Sequence, residues 1–169
     1  KSVEMFSFYN KHNNSLYINL VKLSRNIYFY KELELKDNFE TRIILIFLHF
    51  SLILNIFKKK DNKFPQEIFD NIFQNIEYNM RELGHGDVSV NSKMKMLNKI
   101  FYDILLKIDK KENDMFKVDK KTLIKHLILN KKLKTEYIAK LASYFESFYN
   151  FCFELDGKIM IKGQINFNN

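Results

Sequence analysis

The stretch His85-Gly86-Asp87-Val88-Ser89 holds the residue types of a catalytic triad within five consecutive positions. Adjacent residues in a turn rarely reach the geometry in which a histidine bridges a serine hydroxyl and a carboxylate. An aspartate that bonds turn amides beside a serine cap accounts for the same residues without catalysis. The sequence also contains no glycine-rich phosphate loop and no nucleophile elbow. It therefore predicts a protein that is not an enzyme.

The other histidines and the single cysteine form no pair at the spacing of a metal site. His49 stands inside an apolar stretch, where a histidine satisfied by protein groups is more typical than a ligand or an acid. Cys152 lies in the aromatic run 148–153, which is typical of a packed thiol. We therefore expect no metal and no cofactor.

The segments that position these residues are predicted to be helices. Four glycines and one proline leave few sharp turns, and apolar residues recur at spacings of three and four. We predict an all-α fold, a single helical domain of about six helices. The predicted helices cover Leu16–Tyr30, with Ser15 as its cap, and Thr41–Phe57, Pro65–Leu83, Ser89–Ile108, Lys120–Asn130 and Thr135–Phe153.

Two segments outside these helices differ in character. Residues 109–119 are highly charged and are predicted to be solvated. The last segment alternates apolar and polar residues around Asp156-Gly157 and Lys162-Gly163, which predicts a short C-terminal hairpin or extended tail.

Residues 84–89 are predicted to form a structural joint between two helices. Gly84 suits the left-handed conformation that ends a helix, and Ser89 is the expected cap of the next one. Gly86 lies between them. The joint residues Gly84, Gly86 and Ser89 would make a helical hairpin.

The longest apolar stretch, Ile43 to Phe57, is shorter than the ~20 residues needed to span a bilayer. We interpret it as a buried core helix. Arg42 before it and Lys58-Lys59-Lys60 after it also suit a segment lying in a membrane interface. Because the chain begins with Lys1 and not Met, a trimmed start and an upstream presequence or tether both stay open.

The chain is basic, with a net charge of +8. Residues 1–60 carry +5, residues 61–112 carry −1 and residues 113–169 carry +4. Basic ends favour anionic partners, either lipid headgroups or RNA phosphates. With 25 lysines against 3 arginines, the sequence is poor in the residue that reads phosphates and bases in bidentate fashion, and we expect no DNA partner.

Three blocks of the sequence together form a recognisable pattern. The central block comprises Phe69-Asp70, Phe73, Arg81 through Val90, Lys93-Met94-Lys95 and Phe101-Tyr102. The first comprises Ser24-Arg25, Phe29-Tyr30, Leu33, Asp37, Arg42 and His49. The last comprises Asn130, Leu141-Ala142, Tyr144 and 163–167. These blocks resemble the ubiquinol-cytochrome c chaperone family, in a form most like its alphaproteobacterial members. The resemblance covers residues 16–167, which we take as the domain, and leaves 1–15 as an N-terminal segment.

The sequence departs from the family pattern at several positions. Ile43-Ile44 replaces an aromatic and an acidic residue, Asn75 replaces a carboxylate, and Asp103 stands where glycine is usual. These departures bear on individual contacts and not on the family as a whole.

The resemblance implies a helical assembly chaperone that binds newly synthesised cytochrome b, or another bc1 subunit, before it joins the ubiquinol-cytochrome c reductase complex. It also implies a small partner protein and a position near the ribosome. We expect the chain in the bacterial cytoplasm, peripheral at the inner membrane, or on the matrix side of the mitochondrial inner membrane if it is eukaryotic. A basic helical module that binds RNA or the ribosome is the alternative, and an enzyme of unknown chemistry is the third.

We predict that client or partner binding involves charged residues near the joint and in the first block, together with adaptable methionines. The candidates are Arg25, Arg42, Arg81, Glu82, Asp87, Met94 and Met96. Because arginine is rare here, each one suggests planar hydrogen bonding, either to a carboxylate within the fold or to a partner.

Overall fold

The computed structural model describes residues 15–127 and 134–168, and within them the fold is a single all-α domain. The seven α-helices of the described residues are α1 (Ser15–Ser24), α2 (Phe39–Lys59), α3 (Gln66–Glu82), α4 (Asp87–Lys107), α5 (Lys120–Leu127), α6 (Thr135–Phe153) and α7 (Gly157–Ile161). The predicted fold class is confirmed. Predictions for residues 1–14, for the helix beyond Leu127 and for Asn130 lie outside the described residues.

Helix α2 is the centre of the fold. It begins where the Asn38 side chain accepts a hydrogen bond from the Thr41 amide at 2.9 Å, as an N-cap does. Helices α1, α4, α5 and α6 pack around it, and thirteen of its side chains are buried. By length and composition α2 could cross a membrane, yet 67% of its most apolar window is buried inside the fold. It is the core helix that the sequence predicts.

The first helix is shorter than predicted. α1 ends at Ser24, and a π-helical turn (Tyr28–Glu32) follows, closed by a hydrogen bond from the Leu33 amide to the Tyr28 carbonyl. The side chain of Asn26 accepts from the Tyr28 amide at 3.0 Å, and such a local bond competes with the α-helical pattern. Ile27, just before this turn, is exposed.

The charged segment 109–119 is not simply solvated. It folds back on itself through antiparallel bridges between Asp109 and Val118 and between Glu112 and Met115. Phe116 and Val118 are buried. The Phe116 ring stacks on Tyr149 of α6 with 4.0 Å between ring centroids, so aromatic packing holds this turn to the fold.

The predicted C-terminal hairpin is absent from the described residues, and α7 takes its place. Asp156 caps α7 by accepting from the Lys158 amide at 2.9 Å, and Gly163 ends it at φ +68°. The extended tail is present only after that glycine, where Asn19 of α1 bonds both the amide and the carbonyl of Ile165. A short alternating run fits one helical turn as well as a strand.

Candidate functional site

The joint between α3 and α4 closes with a Schellman motif. The Gly84 amide donates to the Arg81 carbonyl at 3.0 Å, and the His85 amide donates to the Met80 carbonyl at 3.3 Å. Gly84 has φ +93°, in the left-handed region that favours glycine. The helix therefore stops at Gly84, as predicted, because glycine adopts this backbone conformation without strain.

The start of α4 differs from the prediction. Gly86, and not Ser89, is the N-cap, with φ −75° and its carbonyl accepting from the Val90 amide at 2.9 Å. Ser89 lies inside the first turn of the helix. The extended conformation of Gly86 leaves Asp87 as the first helical residue, where a carboxylate favours the helix N-terminus. A Cβ at Gly86 would meet no atom within 4 Å.

Arg81 links the two helices across the joint. Its guanidinium pairs with Glu77 one turn earlier at 3.0 Å and also with Asp87 of α4. The pKa of Arg81 is raised, mainly by the hydrogen bond to Asp87. The Arg81 side chain is 37% exposed and that of Asp87 is 82% exposed, so this is a surface network. Both carboxylates are within reach of a partner protein.

The histidine of the joint lies beside a lysine of α4. His85 Nε2 lies 3.4 Å from the Lys93 ammonium, one of the residues of the central block. Ser89 lies in the first turn of α4, and its side chain is exposed. These positions fit the structural interpretation of residues 85–89, a turn followed by the start of a helix.

Two large apolar side chains flank the joint in solvent. Leu83, at the C-cap of α3, is 60% exposed, and Val88, in the first turn of α4, is 85% exposed. The helical period places Leu83 inside, which is wrong because the chain turns at Gly84 and carries that side chain outward. The only sequence signal for the exposure of Leu83 is its position beside the glycine that ends the helix. Leu83, Val88, Arg81, Glu82 and Asp87 together form a mixed apolar and charged area, here called the joint surface.

The first-block arginine Arg42 also pairs with a carboxylate. Its guanidinium donates to Asp37 Oδ1 from Nε at 3.1 Å and from Nη2 at 2.6 Å. Burial raises the pKa of the neighbouring Tyr30 hydroxyl, and Arg42 opposes that rise. The Arg42 side chain is 38% exposed, so this pair also lies at the surface. The prediction of carboxylate partners thus holds for Arg42 and Arg81.

Arg25 and Glu82 belong to different blocks, yet both act on the same tyrosine, Tyr17. Burial raises the pKa of Tyr17 to about 12, and this hydroxyl accepts a hydrogen bond from Asn79 of α3. Arg25 lowers that pKa and Glu82 raises it, so both charges lie near the same hydroxyl. No ion pair of Arg25 is found among the described residues, and its side chain is exposed.

Met94 and Met96 do not share a face of α4. Met94 is partly buried against the core, whereas Met96 is exposed. Residues two apart on a helix point about 200° apart, so they cannot line one groove. Of the two, Met96 is the more accessible to a partner.

His49 is a satisfied core histidine, as predicted. Nδ1 lies 2.6 Å from the Leu45 carbonyl and Nε2 lies 2.8 Å from the Tyr144 hydroxyl. Burial lowers the pKa of His49 to about 4. The neutral ring therefore donates to Leu45 and accepts from Tyr144. Cys152 is a buried thiol whose pKa burial raises to about 12.

Asp103, which replaces a glycine of the family pattern, ties α4 to α5. Its carboxylate accepts from Lys107 at 2.6 Å, from His126 at 2.7 Å and from Lys125 at 3.0 Å. The pKa of Asp103 is lowered, chiefly by the Lys107 hydrogen bond. The His126 side chain is nearly buried, and the Asp103 carboxylate gives it a hydrogen-bond acceptor that a glycine at this position could not provide.

The described residues contain no group of three or more His, Cys, Asp or Glu side chains that could hold a metal ion. What the joint surface offers is noncovalent contact: two exposed apolar side chains, one guanidinium and accessible carboxylates. Such a mixture suits binding to another protein.

Comparisons with known proteins agree with this architecture. The sequence model of a family described as ubiquinol-cytochrome C chaperone matches residues 31–167. The crystal structure of the Cbp3 homolog from Brucella abortus superposes with a TM-score of 0.69 at 21% identity, covering 100% of this chain and 97% of that one. At this identity the likeness establishes a shared fold. No curated protein sequence matches the chain.

Proposed function

Because the chain belongs to the ubiquinol-cytochrome c chaperone family, we propose that it binds newly synthesised cytochrome b and promotes assembly of the bc1 complex without catalysing a reaction. The observation that carries this proposal is the family match over residues 31–167, which includes the joint and all the helices from α2 onward. The chain would work at the inner membrane surface, on the bacterial cytoplasmic side or the mitochondrial matrix side.

We assign client contact to the joint surface. Leu83 and Val88 present apolar area to solvent, and a client made of apolar helices offers matching area before it is assembled. Arg81 and Asp87 lie beside them with hydrogen-bonding groups exposed. A hydrophobic centre with charged groups at its edge is the usual arrangement of a protein interface.

Affinity capture tests the proposal. Tagged protein from cells making the bc1 complex should enrich cytochrome b, and Val88→Asp should lose that enrichment while melting normally. Ile124→Asp is the matched control, since Ile124 is also exposed but lies on α5, away from the joint. Absence of cytochrome b from the wild-type capture would refute the client assignment.

Salt separates this function from RNA binding. Phosphate contacts make affinity fall steeply with ionic strength, whereas an apolar contact depends on it much less. Capture of cytochrome b should therefore persist at high salt. High salt or carbonate should also release the chain from membranes, because α2 belongs to the core. Retention in the carbonate pellet would contradict the peripheral position.

A further inference from the structure

The C-terminal end of α2 borders two adjoining cavities that no part of the joint surface reaches. One has a volume of about 310 Å³ and is lined mainly by apolar side chains from three helices and the loop before α3: Leu54, Asn55, Lys58, Phe64, Gln66, Phe69, Leu105 and Leu106. The other, of about 390 Å³, is lined by residues 54, 57, 58 and 61–64. Leu54, Lys58 and Phe64 line both, so the two cavities adjoin; together they are here called the cleft, the first being its apolar part and the second its polar part.

The apolar part has aromatic walls and an open rim. The Phe64 ring packs edge-on against Phe50 and Phe57 with centroids 5.5 Å and 5.1 Å apart, and Phe69 packs against Phe50. At the rim, Leu106 is 73% exposed. Preformed aromatic walls beside an exposed leucine suit an apolar chain that enters from solvent.

One wall carries a hydrogen-bond donor without a partner. The amide nitrogen of Asn55 is shielded from water and makes no hydrogen bond within the described residues. A shielded donor without an acceptor is costly, so a rotation of the Asn55 side chain that brings this nitrogen to an oxygen acceptor of a ligand would stabilise it.

Lysines follow Asn55 at the C-terminal end of α2. Lys60 is engaged with the Phe153 and Leu155 carbonyls, and Lys59 with the Asp114 carbonyl. No ion pair or hydrogen bond of the Lys58 or Lys63 ammonium group is found among the described residues, and both line the polar part. Asp61 is the only acidic side chain lining either cavity. The polar part therefore attracts an anion.

We propose that this cleft binds an anionic glycerophospholipid, with an acyl chain in the apolar part, an ester carbonyl on Asn55 and the phosphate near Lys58 and Lys63. Leu54, Asn55 and Lys58 succeed one another towards the end of α2, in the same order as the acyl chain, ester and phosphate of such a lipid. Lipid headgroups are the anions that accompany acyl chains, which favours a lipid over RNA or a peptide. The inference rests on the proposed function only in placing the chain at a membrane.

Vesicle flotation tests the site. The full chain should float with vesicles of phosphatidylcholine mixed with phosphatidylglycerol, and not with phosphatidylcholine alone. Lys58→Gln should weaken binding about fivefold, since a lysine near an anionic surface contributes about that factor. Leu106→Asp should weaken it about tenfold through lost apolar contact. Asn55→Leu should melt no lower than the wild type and still bind more weakly.

Matched controls lie on α4. Val88→Asp changes an equally exposed apolar residue at the other end of the helix, and Lys95→Gln removes an exposed lysine outside the cleft. Both should float like the wild type. The site is refuted if Lys95→Gln weakens binding as much as Lys58→Gln, since the attraction would then be general, or if Leu106→Asp floats normally.

Competition identifies the ligand. Monomeric short-chain phosphatidylglycerol should displace the vesicles, whereas inorganic phosphate and the deacylated headgroup should not. Equal competition by the headgroup alone would show an anion site without acyl recognition, and displacement by an apolar transmembrane peptide would show a protein site. Both results would overturn the proposal.

The lipid site and the client assignment fail separately. Loss of cytochrome b capture in a chain that still floats refutes only the client, and capture without lipid binding refutes only the cleft.

Discussion

Two helix ends in this protein close with the same backbone motif and serve different purposes. At Gly163 the following amide, of Gln164, bonds the Ile159 carbonyl at 3.2 Å. At Gly84 the equivalent bond runs from His85 to Met80 at 3.3 Å. Both glycines have positive φ, +68° and +93°. The local geometry is thus nearly identical, and the difference lies in what surrounds it.

Gly163 is pressed against the backbone of α1. A Cβ there would collide with the Ser15 carbonyl and would lie 2.9 Å from the Leu16 amide nitrogen, whereas a Cβ at Gly84 would meet no atom within 4 Å. The C-terminal end is therefore a closed clasp, and the joint is an open surface. The same glycine signal ends a helix in both places, but only tertiary packing decides whether that end is structural or available to a partner.

The largest effect that tests this comparison is expected from Gly163→Ala. The left-handed conformation costs about 1–2 kcal/mol without glycine, and forcing a methyl group into a packed backbone costs about 1–3 kcal/mol more. We expect a loss of about 3 kcal/mol in the free energy of unfolding, measured by urea denaturation. Gly84→Ala is the control, and equal losses for the two variants would abolish the distinction between clasp and joint.

The buried core should also lose stability in acid, because it contains His49. The pKa of His49 is about 4 in the folded chain and about 6.5 when unfolded, so only the unfolded chain takes up a proton between these values. Stability should therefore be complete above pH 6.5 and decrease by about 3 kcal/mol as the pH falls to 4. Urea denaturation across this range measures it.

His49→Gln removes the titrating ring and should flatten that part of the pH profile, even if the variant is less stable at neutral pH. A wild-type slope retained by His49→Gln would show that other groups cause it.

At the joint we expect a smaller effect that depends on backbone conformation alone. Gly84→Val should cost about 1–2 kcal/mol because a β-branched residue is strained at φ +93°. Gly86→Ala and His85→Ala should be mild, since Gly86 has an ordinary φ and open space around it. Thermal melts rank the three variants. A larger loss for Gly86→Ala than for Gly84→Val would mean that the joint is packed and not open.

Sequence patterns predicted where the helices lie better than they predicted the caps and the exposed side chains at the helix ends. α6 begins and ends at the predicted residues, Thr135 and Phe153, because its apolar period is long and regular. Ser89 was wrongly expected to cap α4, since a serine and a glycine three residues apart are both acceptable caps. The period also places Leu83 inward, although the chain turns just after it.

The candidate site was predictable in part. Arg42 and Arg81 pair with carboxylates because Asp37, Glu77 and Asp87 lie within six residues of them in the sequence. Two features had no sequence signal: the approach of Gly163 to Ser15, and the unpartnered amide of Asn55 in the cleft. Both depend on segments far apart in the chain, which local patterns do not report.

The smallest expected effect on stability is that of Arg81→Lys, and it decides what the open surface is for. The pairs of Arg81 with Glu77 and Asp87 are exposed, and surface pairs of this kind contribute little to folding. We therefore expect the variant to melt like the wild type. Lysine keeps the charge but not the planar group that binds two carboxylates at once, so cytochrome b capture should decrease.

Arg42→Lys is the matched control for that substitution, because Arg42 is equally exposed and pairs with a carboxylate away from the joint surface. It should melt normally and, with client contact at the joint surface, capture the client normally; a loss of capture would extend client contact to the candidate Arg42. A lower melting temperature for Arg81→Lys would assign the arginine to holding α3 and α4 together. Normal melting with undiminished capture would leave it neither role, and client contact at the joint would then rest on Leu83 and Val88 alone.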